Sequence, residues 1–308
     1  MHNNLFVIMY HYIRKKSDRF YNGFNYLDLK KFEKQIKYFK NNYNILDPDK
    51  AKSYINSKKK AGKFLWLTFD DGYYDHYKYV YPILKKNNIK ASFFPITSCL
   101  INKNIHEANV AHILISKVKN KTELLSNIKK LYIKFQCFKN IKDLNNYLGN
   151  INLNEKFDNK TISSIKRLLQ REANYNIRKK IIEKLKKKYN FFTGKNISKF
   201  YMNIDQIKKL HEDGHEIGLH SHTHQWLSHT DKTDQKKDIL NNIKFLKKMN
   251  VYKKNPTFCF PYGAYNENTL GILTKNKINI SLTSTYFKES KKVGKLFLVP
   301  RINCRDIS

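Results

Sequence analysis

The chain has 308 residues, 41% of them hydrophobic and 14% aromatic, which excludes an intrinsically disordered polypeptide and suffices for one large domain or two small ones. Lys and Arg number 60 against 25 Asp and Glu, a formal net charge of +35 that favours anionic surfaces and substrates. No Arg-rich helix, zinc finger or RNP-like motif accompanies the charge, so a specific nucleic-acid reader is the weakest functional class.

Cys99, Cys137, Cys259 and Cys304 are scattered without metal-type pairing, which argues against a disulfide framework and fits a reducing compartment. Met1 to Met9 lacks a basic n-region and its apolar run is too short for a secretory signal. No apolar run approaches a membrane span. The expectation is a cytoplasmic protein, with peripheral contact at the inner face of the membrane left open.

Leu5 to Met9 reads as a first buried strand with His11 near its C-terminal end, followed by a polar, aromatic loop to about Tyr26. Asp28 caps a helix from Lys30 to Asn41, with Phe32, Ile36 and Phe39 at helical spacing, and a weaker helix lies near Lys50 to Ser57. Phe64 to Phe69 is a central buried strand running into Asp70-Asp71-Gly72. Adjacent carboxylates point to different sides, so one suits a metal and the other a base; Gly72 permits a tight turn. A helix from Tyr74 to Asn87 is bent or restarted by Pro82, and Ala91 to Ile96 is the next strand. This βαβ unit implies parallel strands.

From about 101 to 198 the texture is helical, with Pro and Gly nearly absent, and His106 and His112 read as structural or surface residues. The α/β rhythm resumes with a helix from Asn203 to Glu212 closed by Gly214, a strand over His215 to His220 and a helix from Asp231 to Met249. Pro256 to Gly263 reads as a strand and turn, Asn266 to Lys275 as a helix, Ile278 to Thr283 as a strand and Leu296 to Ile302 as a last strand. Repeated βα units of this number suggest a closed or nearly closed β/α barrel, whose chemistry sits at the C-terminal strand ends.

His220-Ser221-His222-Thr223-His224 places two imidazoles four residues apart, where one helical turn would bring both to one metal. A carboxylate from Asp70 or Asp71 would complete a two-His, one-Asp site with positions open for water and substrate.

Thr68-Phe69-Asp70-Asp71-Gly72, then the histidine cluster behind Asp213 to Gly218, then Phe260-Pro261-Tyr262-Gly263, resemble the successive motifs of the polysaccharide deacetylase (NodB-homology, carbohydrate esterase family 4) family. The resemblance covers about 1–100 and 200–308. It implies an α/β fold, an irregular (β/α)7 barrel, forming one deacetylase domain over 1–308 interrupted by a helical insertion at about 101–198. It implies Asp70 as general base and Asp71, His220 and His224 as ligands of a divalent metal, usually zinc. Tyr262, with Pro261 before it, would offer a backbone N–H to the oxyanion.

Three positions depart from the family pattern. Phe258-Cys259-Phe260 stands where an Arg usually orients the base, and Arg301 would supply that cation from another strand end. No Leu-x-His follows Leu296, but Ile8-Met9-Tyr10-His11 resembles the start of circularly permuted deacetylases, which makes His11 the candidate general acid. No Asp-x-x-Asp-Trp-type motif stands near Ser281 to Thr285. His215 is a candidate for contact with the ligand residues, His229 for lining the site, and Trp226 and Tyr262 for walls around a sugar ring.

The resemblance implies a hydrolase of carbohydrate metabolism, a metal-dependent N-deacetylase acting on an N-acetylated sugar of bacterial surface-polysaccharide assembly, with nucleotide- or lipid-linked forms open. Two rivals stand beside it: hydrolysis of another C–N bond, a formamide or ureide, and a non-catalytic glycan-binding relative.

Overall fold

The computed structural model describes residues 4–15, 25–57, 61–102, 104–150, 158–190, 200–284 and 290–307. Parts of four expectations, over Met1–Asn3, the loop at 16–24, the insertion at 103, 151–157 and 191–198, and Thr285, fall outside the described residues. Contacts divide the chain into two units, one drawn from Met1–Ser17, Tyr26–Asn104 and Ile197–Ser308, the other from Asp18–Asn25 and Ile105–Asn196.

The first unit is a ring of parallel strands: β1 (Leu5–Tyr10), β2 (Phe64–Asp71), β3 (Ser92–Pro95), β4 (Glu216–Ile217), β5 (Thr257–Cys259), β6 (Ile280–Leu282), β7 (Leu296–Val299) and β8 (Ile302–Asn303). Parallel pairing runs from β8 to β1, β2, β3 and β4. A bridge between Leu219 and Phe258 carries it on to β5, then β6 and β7. The expected single last strand is two short ones. Pro300 has no N–H for a ladder, so pairing breaks there; the chain steps from β6 on one side to β1 on the other and closes the ring. With β7 and β8 as one stave, the barrel has seven.

Alternation divides each strand between two cores. Leu65, Leu67 and Phe69 join Ile8, Tyr10, Phe93, Ile217 and the apolar faces of the helices, among them Phe32, Ile36, Ile239 and Leu273. Trp66 packs instead with Val7, Phe94, Cys259, Leu282 and Val299. Trp66, Thr68 and Asp70 share a face, so period two delivers Asp70 to the interior end of β2. Gly218 is small because Phe94 fills its side of the interior: a Cβ there would lie 2.2 Å from the Phe94 ring.

The helices start where sequence places their caps. Asp28, Asp47 and Asp231 accept from backbone N–H groups of the helices Leu29–Asn42, Pro48–Asn56 and Lys232–Lys248. Asn203 and Asn266 form capping boxes for Ile204–Glu212 and Glu267–Lys275. The helix expected from Tyr74 to Asn87, bent or restarted by Pro82, takes the form of a π-helical turn, His76–Val80, before Tyr81–Lys86. Pro82 explains it: a proline in an α-helix clashes with the carbonyl four residues back, and a wider turn moves that carbonyl away.

The second unit is helical: Glu107–Lys117, Lys121–Lys134, Ile141–Asn150, Lys160–Gln170 and Tyr175–Lys188. Its polar stretches are caps, since His106, Asn120, Asn159 and Asn174 each accept from a backbone N–H of the first turn. Leu124, Ile128, Tyr132, Leu168, Ile181 and Leu185 are buried.

Gly218→Ala overfills the barrel interior and should cost about 1–3 kcal/mol of stability. A lowered midpoint in chemical denaturation is the expected outcome; an unchanged midpoint would show that Phe94 is not fixed as described.

Candidate metal centre and catalytic residues

The strand ends bring together Asp70, Asp71, His220, His224, His11, Arg301 and Tyr262. Asp71 follows the inward-facing Asp70 with a φ of 70°, and Gly72 has a φ of 71°. This double left-handed turn aims the second carboxylate away from the first. A Cβ on Gly72 would lie 2.7 Å from Pro95 Cβ, so the turn admits only glycine. Ser221, His224 and Tyr262 also have positive φ, at 64°, 52° and 55°. Non-glycine residues in this region cost on the order of 1–3 kcal/mol each and cluster at functional sites.

Asp71 Oδ1 lies 3.3 Å from His220 Nε2 and 3.4 Å from His224 Nε2. The two nitrogens are 3.1 Å apart. His220 Nδ1 lies 2.8 Å from the carbonyl oxygen of Cys259, which only accepts, so Nδ1 carries the hydrogen and Nε2 presents its lone pair. Asp71 Oδ1 is buried and has no hydrogen-bond partner among the described residues. Its other oxygen accepts from Tyr73 Oη at 2.5 Å. Burial works against ionisation of Asp71, yet the adjacent imidazoles outweigh it and hold the carboxyl well below its ordinary pKa. Ligands about 2.0–2.1 Å from a tetrahedral zinc ion lie about 3.3 Å from one another, so the triangle fits a divalent metal.

A second group, Asp70, His220 and Cys259, also converges. Its chemistry is committed elsewhere. Arg301 Nη1 and Nη2 donate to the two Asp70 oxygens at 2.8 and 2.7 Å. Cys259 Sγ donates to Asp70 Oδ2 at 3.5 Å, and burial pushes the thiol pKa up, keeping it a donor. Arg301 is held by Thr283 O at 3.1 Å and Thr68 Oγ1 at 3.2 Å. Burial tends to raise the Asp70 pKa, but the Arg301 guanidinium wins and brings it down to about 2. His11 Nε2 stands 3.8 Å from Asp70 Oδ2, with its side chain 42% exposed. Base and candidate acid therefore share one rim, one buried and one open to solvent.

The turn Pro261–Gly263 sets Tyr262 against the centre. Its ring meets His224 edge-on at 4.7 Å and stacks on Trp226 at 4.4 Å. His215 lies at the opposite end of the barrel, before β4, packed between Tyr81 and Phe93. It does not support the ligands. His222 accepts or donates to Thr97 Oγ1 at 2.9 Å.

Three organising residues are invisible to motif reading. Asp238, buried on the helix Lys232–Lys248, accepts from the Ser221 hydroxyl, from His222 N at 2.9 Å and from Thr223 N at 2.8 Å. It also accepts from Thr223 Oγ1 at 2.5 Å, so one carboxylate fixes the loop between the two histidine ligands. Asn242, one turn on, accepts from His220 N at 3.1 Å. His76, buried in the π-helical turn, holds the carbonyl of His11 at 2.8 Å; burial lowers its pKa to about 4, so it is neutral and donates. The spacing of Asp238 and Asn242 on an amphipathic helix is the only sequence signal for any of them.

A family model described as polysaccharide deacetylase matches residues 57–138 and 173–280. YxkH of Bacillus subtilis (strain 168) is 39% identical over 77 residues, 24% of this chain and 28% of its own length. A poly-β-1,6-N-acetyl-D-glucosamine N-deacetylase of Staphylococcus aureus (strain MSSA476) is 30% identical over 191 residues, 52% of this chain and 64% of its own length. The chain thus matches between about a quarter and just under two thirds of these relatives. Among solved structures, the Streptococcus pyogenes deacetylase PplD aligns with a TM-score of 0.58 at 17% identity, over 98% of this chain and 93% of that one. IcaB from Ammonifex degensii aligns with a TM-score of 0.57 at 17% identity, over 97% and 91%. At such identity the likeness is one of fold.

Two substitutions probe this geometry. Asp238→Asn puts an amide donor against backbone donors, and should weaken metal binding about 10–100-fold in a chelator competition while the fold persists. Undiminished affinity would remove Asp238 from the account. Arg301→Gln removes the charge that does most to keep Asp70 ionised against its burial, so its pKa rises. The acidic limb of the kcat/KM profile should then move to higher pH, and an unmoved limb would mean that Arg301 does not set the base.

Proposed function

The chain belongs to the polysaccharide deacetylase family, and on that premise we propose that it hydrolyses the N-acetyl amide of an amino sugar in a glycan, releasing acetate and a free amine. The observation that carries the proposal is the buried Asp70, clamped by Arg301 and one residue from the Asp71–His220–His224 triangle. A glycan-binding relative has no use for an aligned buried base.

A divalent ion, zinc by the nature of the donors, would be held by Asp71, His220 and His224 and would supply Lewis acidity toward the amide carbonyl and its attacking water. The protein does the rest. Asp70, ionised above about pH 2, accepts a proton from the attacking water. The carbon–nitrogen bond then breaks. His11, on the open side, donates a proton to the departing nitrogen, and the backbone N–H of Tyr262 faces the oxygen that gains charge. The Trp226–Tyr262 stack supplies an apolar wall for a sugar ring. The relative from Staphylococcus aureus supports a β-1,6-linked N-acetylglucosamine chain of the cell surface as the first substrate class to test.

Acetate release from β-1,6-linked N-acetylglucosamine oligomers by the zinc-loaded full chain tests this. Chelation should abolish release, Asp70→Asn should lower kcat at least about 10³-fold, and His11→Ala about 10²-fold. Full activity of Asp70→Asn would contradict the assignment of the base. Turnover of formamides or ureides in place of N-acetyl sugars would shift the substrate class.

A further inference from the structure

Outside the catalytic barrel, the helical unit holds a cleft of about 420 Å³ between the helices Lys121–Lys134 and Tyr175–Lys188. Lys130 and Lys134 line one wall, and Lys184, Lys187 and Lys188 the other. Leu131 and the fully buried Leu185 form its floor. All five lysines are exposed. No acidic side chain lines the cleft among the described residues, and none of the five lysines makes an ion pair there. Lys186, off the cleft, takes the nearby acid instead, pairing with Glu183 at 2.7 Å.

The chain as a whole carries 60 basic residues in 308, whereas five of the eight residues around this cleft are lysine. High net charge alone does not account for that concentration. Like charges one helical turn apart oppose each other, and both walls repeat that spacing. A polyanion relieves the repulsion. The choice of lysine over arginine argues against a pocket built for bidentate recognition of a single phosphate. No aromatic side chain lines the cleft among the described residues, and the adjoining Tyr189 is engaged by Asn127 at 2.7 Å and lies under Lys188 Nζ at 5.9 Å, which argues against single-stranded nucleic acid, a ligand that needs open stacking platforms. Long aliphatic stems over a leucine floor, with ammonium groups at the rim, suit the headgroup layer of a bilayer.

We propose that this cleft docks the helical unit on a membrane surface rich in anionic phospholipid, the lipid phosphates seated among the five ammonium groups. The contact is peripheral; among the described residues no helix is long and apolar enough to cross a membrane. Docking at this cleft does not depend on the chemistry of the barrel.

The test is sedimentation of the full chain with vesicles of phosphatidylcholine, alone or mixed with phosphatidylglycerol. The wild type should bind only the mixed vesicles. Combined Lys130→Gln, Lys134→Gln, Lys184→Gln, Lys187→Gln and Lys188→Gln should weaken that binding at least about tenfold. A charge-matched control, Lys232→Gln, Lys236→Gln, Lys237→Gln, Lys244→Gln and Lys248→Gln on the barrel helix, should change it less than about twofold. Circular dichroism confirms that both variants fold, and Lys184→Gln with Lys187→Gln and Lys188→Gln alone should give an intermediate loss. Equal losses in cleft and control variants would overturn the proposal in favour of diffuse charge. So would displacement from vesicles by inorganic phosphate at concentrations too low to screen charge, or preference for a homopolymeric RNA over the vesicles.

Discussion

Asp70 and Arg301 meet through two parallel hydrogen bonds in the interior of the barrel, where their exposures are 2% and 3%. Removing both charges from water is costly, and such pairs often add little net stability. This pair nevertheless joins the central strand to the last stave of the ring, at the step where Pro300 ends one ladder and β8 begins another. Closure of the barrel and ionisation of the base are thus the same interaction. The guanidinium outweighs the burial of Asp70, so the carboxylate stays charged in a place that would otherwise neutralise it. Cys259, in the position where an arginine is usual, gives Asp70 a thiol hydrogen bond rather than a charge, and the cation arrives from elsewhere in the fold.

The other half of the site is held by strain and its restraint. Asp71, Ser221, His224 and Tyr262 all occupy left-handed backbone conformations. None would persist in an unsupported loop. Asp238 ties down the loop between the histidines, Tyr73 holds one oxygen of Asp71, and the Cys259 carbonyl fixes the tautomer of His220. The result is His220 Nε2, His224 Nε2 and a buried Asp71 oxygen, without a hydrogen-bond partner among the described residues, facing a common point, an arrangement that suits a divalent cation.

The parts of the site that were legible in sequence are those whose chemistry is local. Asp70-Asp71-Gly72 and His220 to His224 advertise themselves because neighbouring residues act together at one strand end. His11 and Arg301 were reachable only by asking which residues of other strand ends would fill the roles that the family pattern left vacant. Asp238, Asn242 and His76 were not legible, since each acts across a gap of many residues through a hydrogen bond that no spacing rule anticipates. In the fold, strand and helix positions followed from periodicity and caps. The split of the last strand and the π-helical turn did not, although a proline marks both, because a proline signals an interruption without saying how the chain resumes.

The choice between the two converging ligand groups bears most directly on the account, and the zinc-edge X-ray absorption spectrum of the zinc-loaded full chain decides it. Asp71, His220 and His224 predict nitrogen and oxygen scatterers alone, at about 2.0–2.1 Å. A sulfur scatterer at about 2.3 Å would place the ion on Cys259 beside Asp70 and His220, leave no free base, and contradict the mechanism.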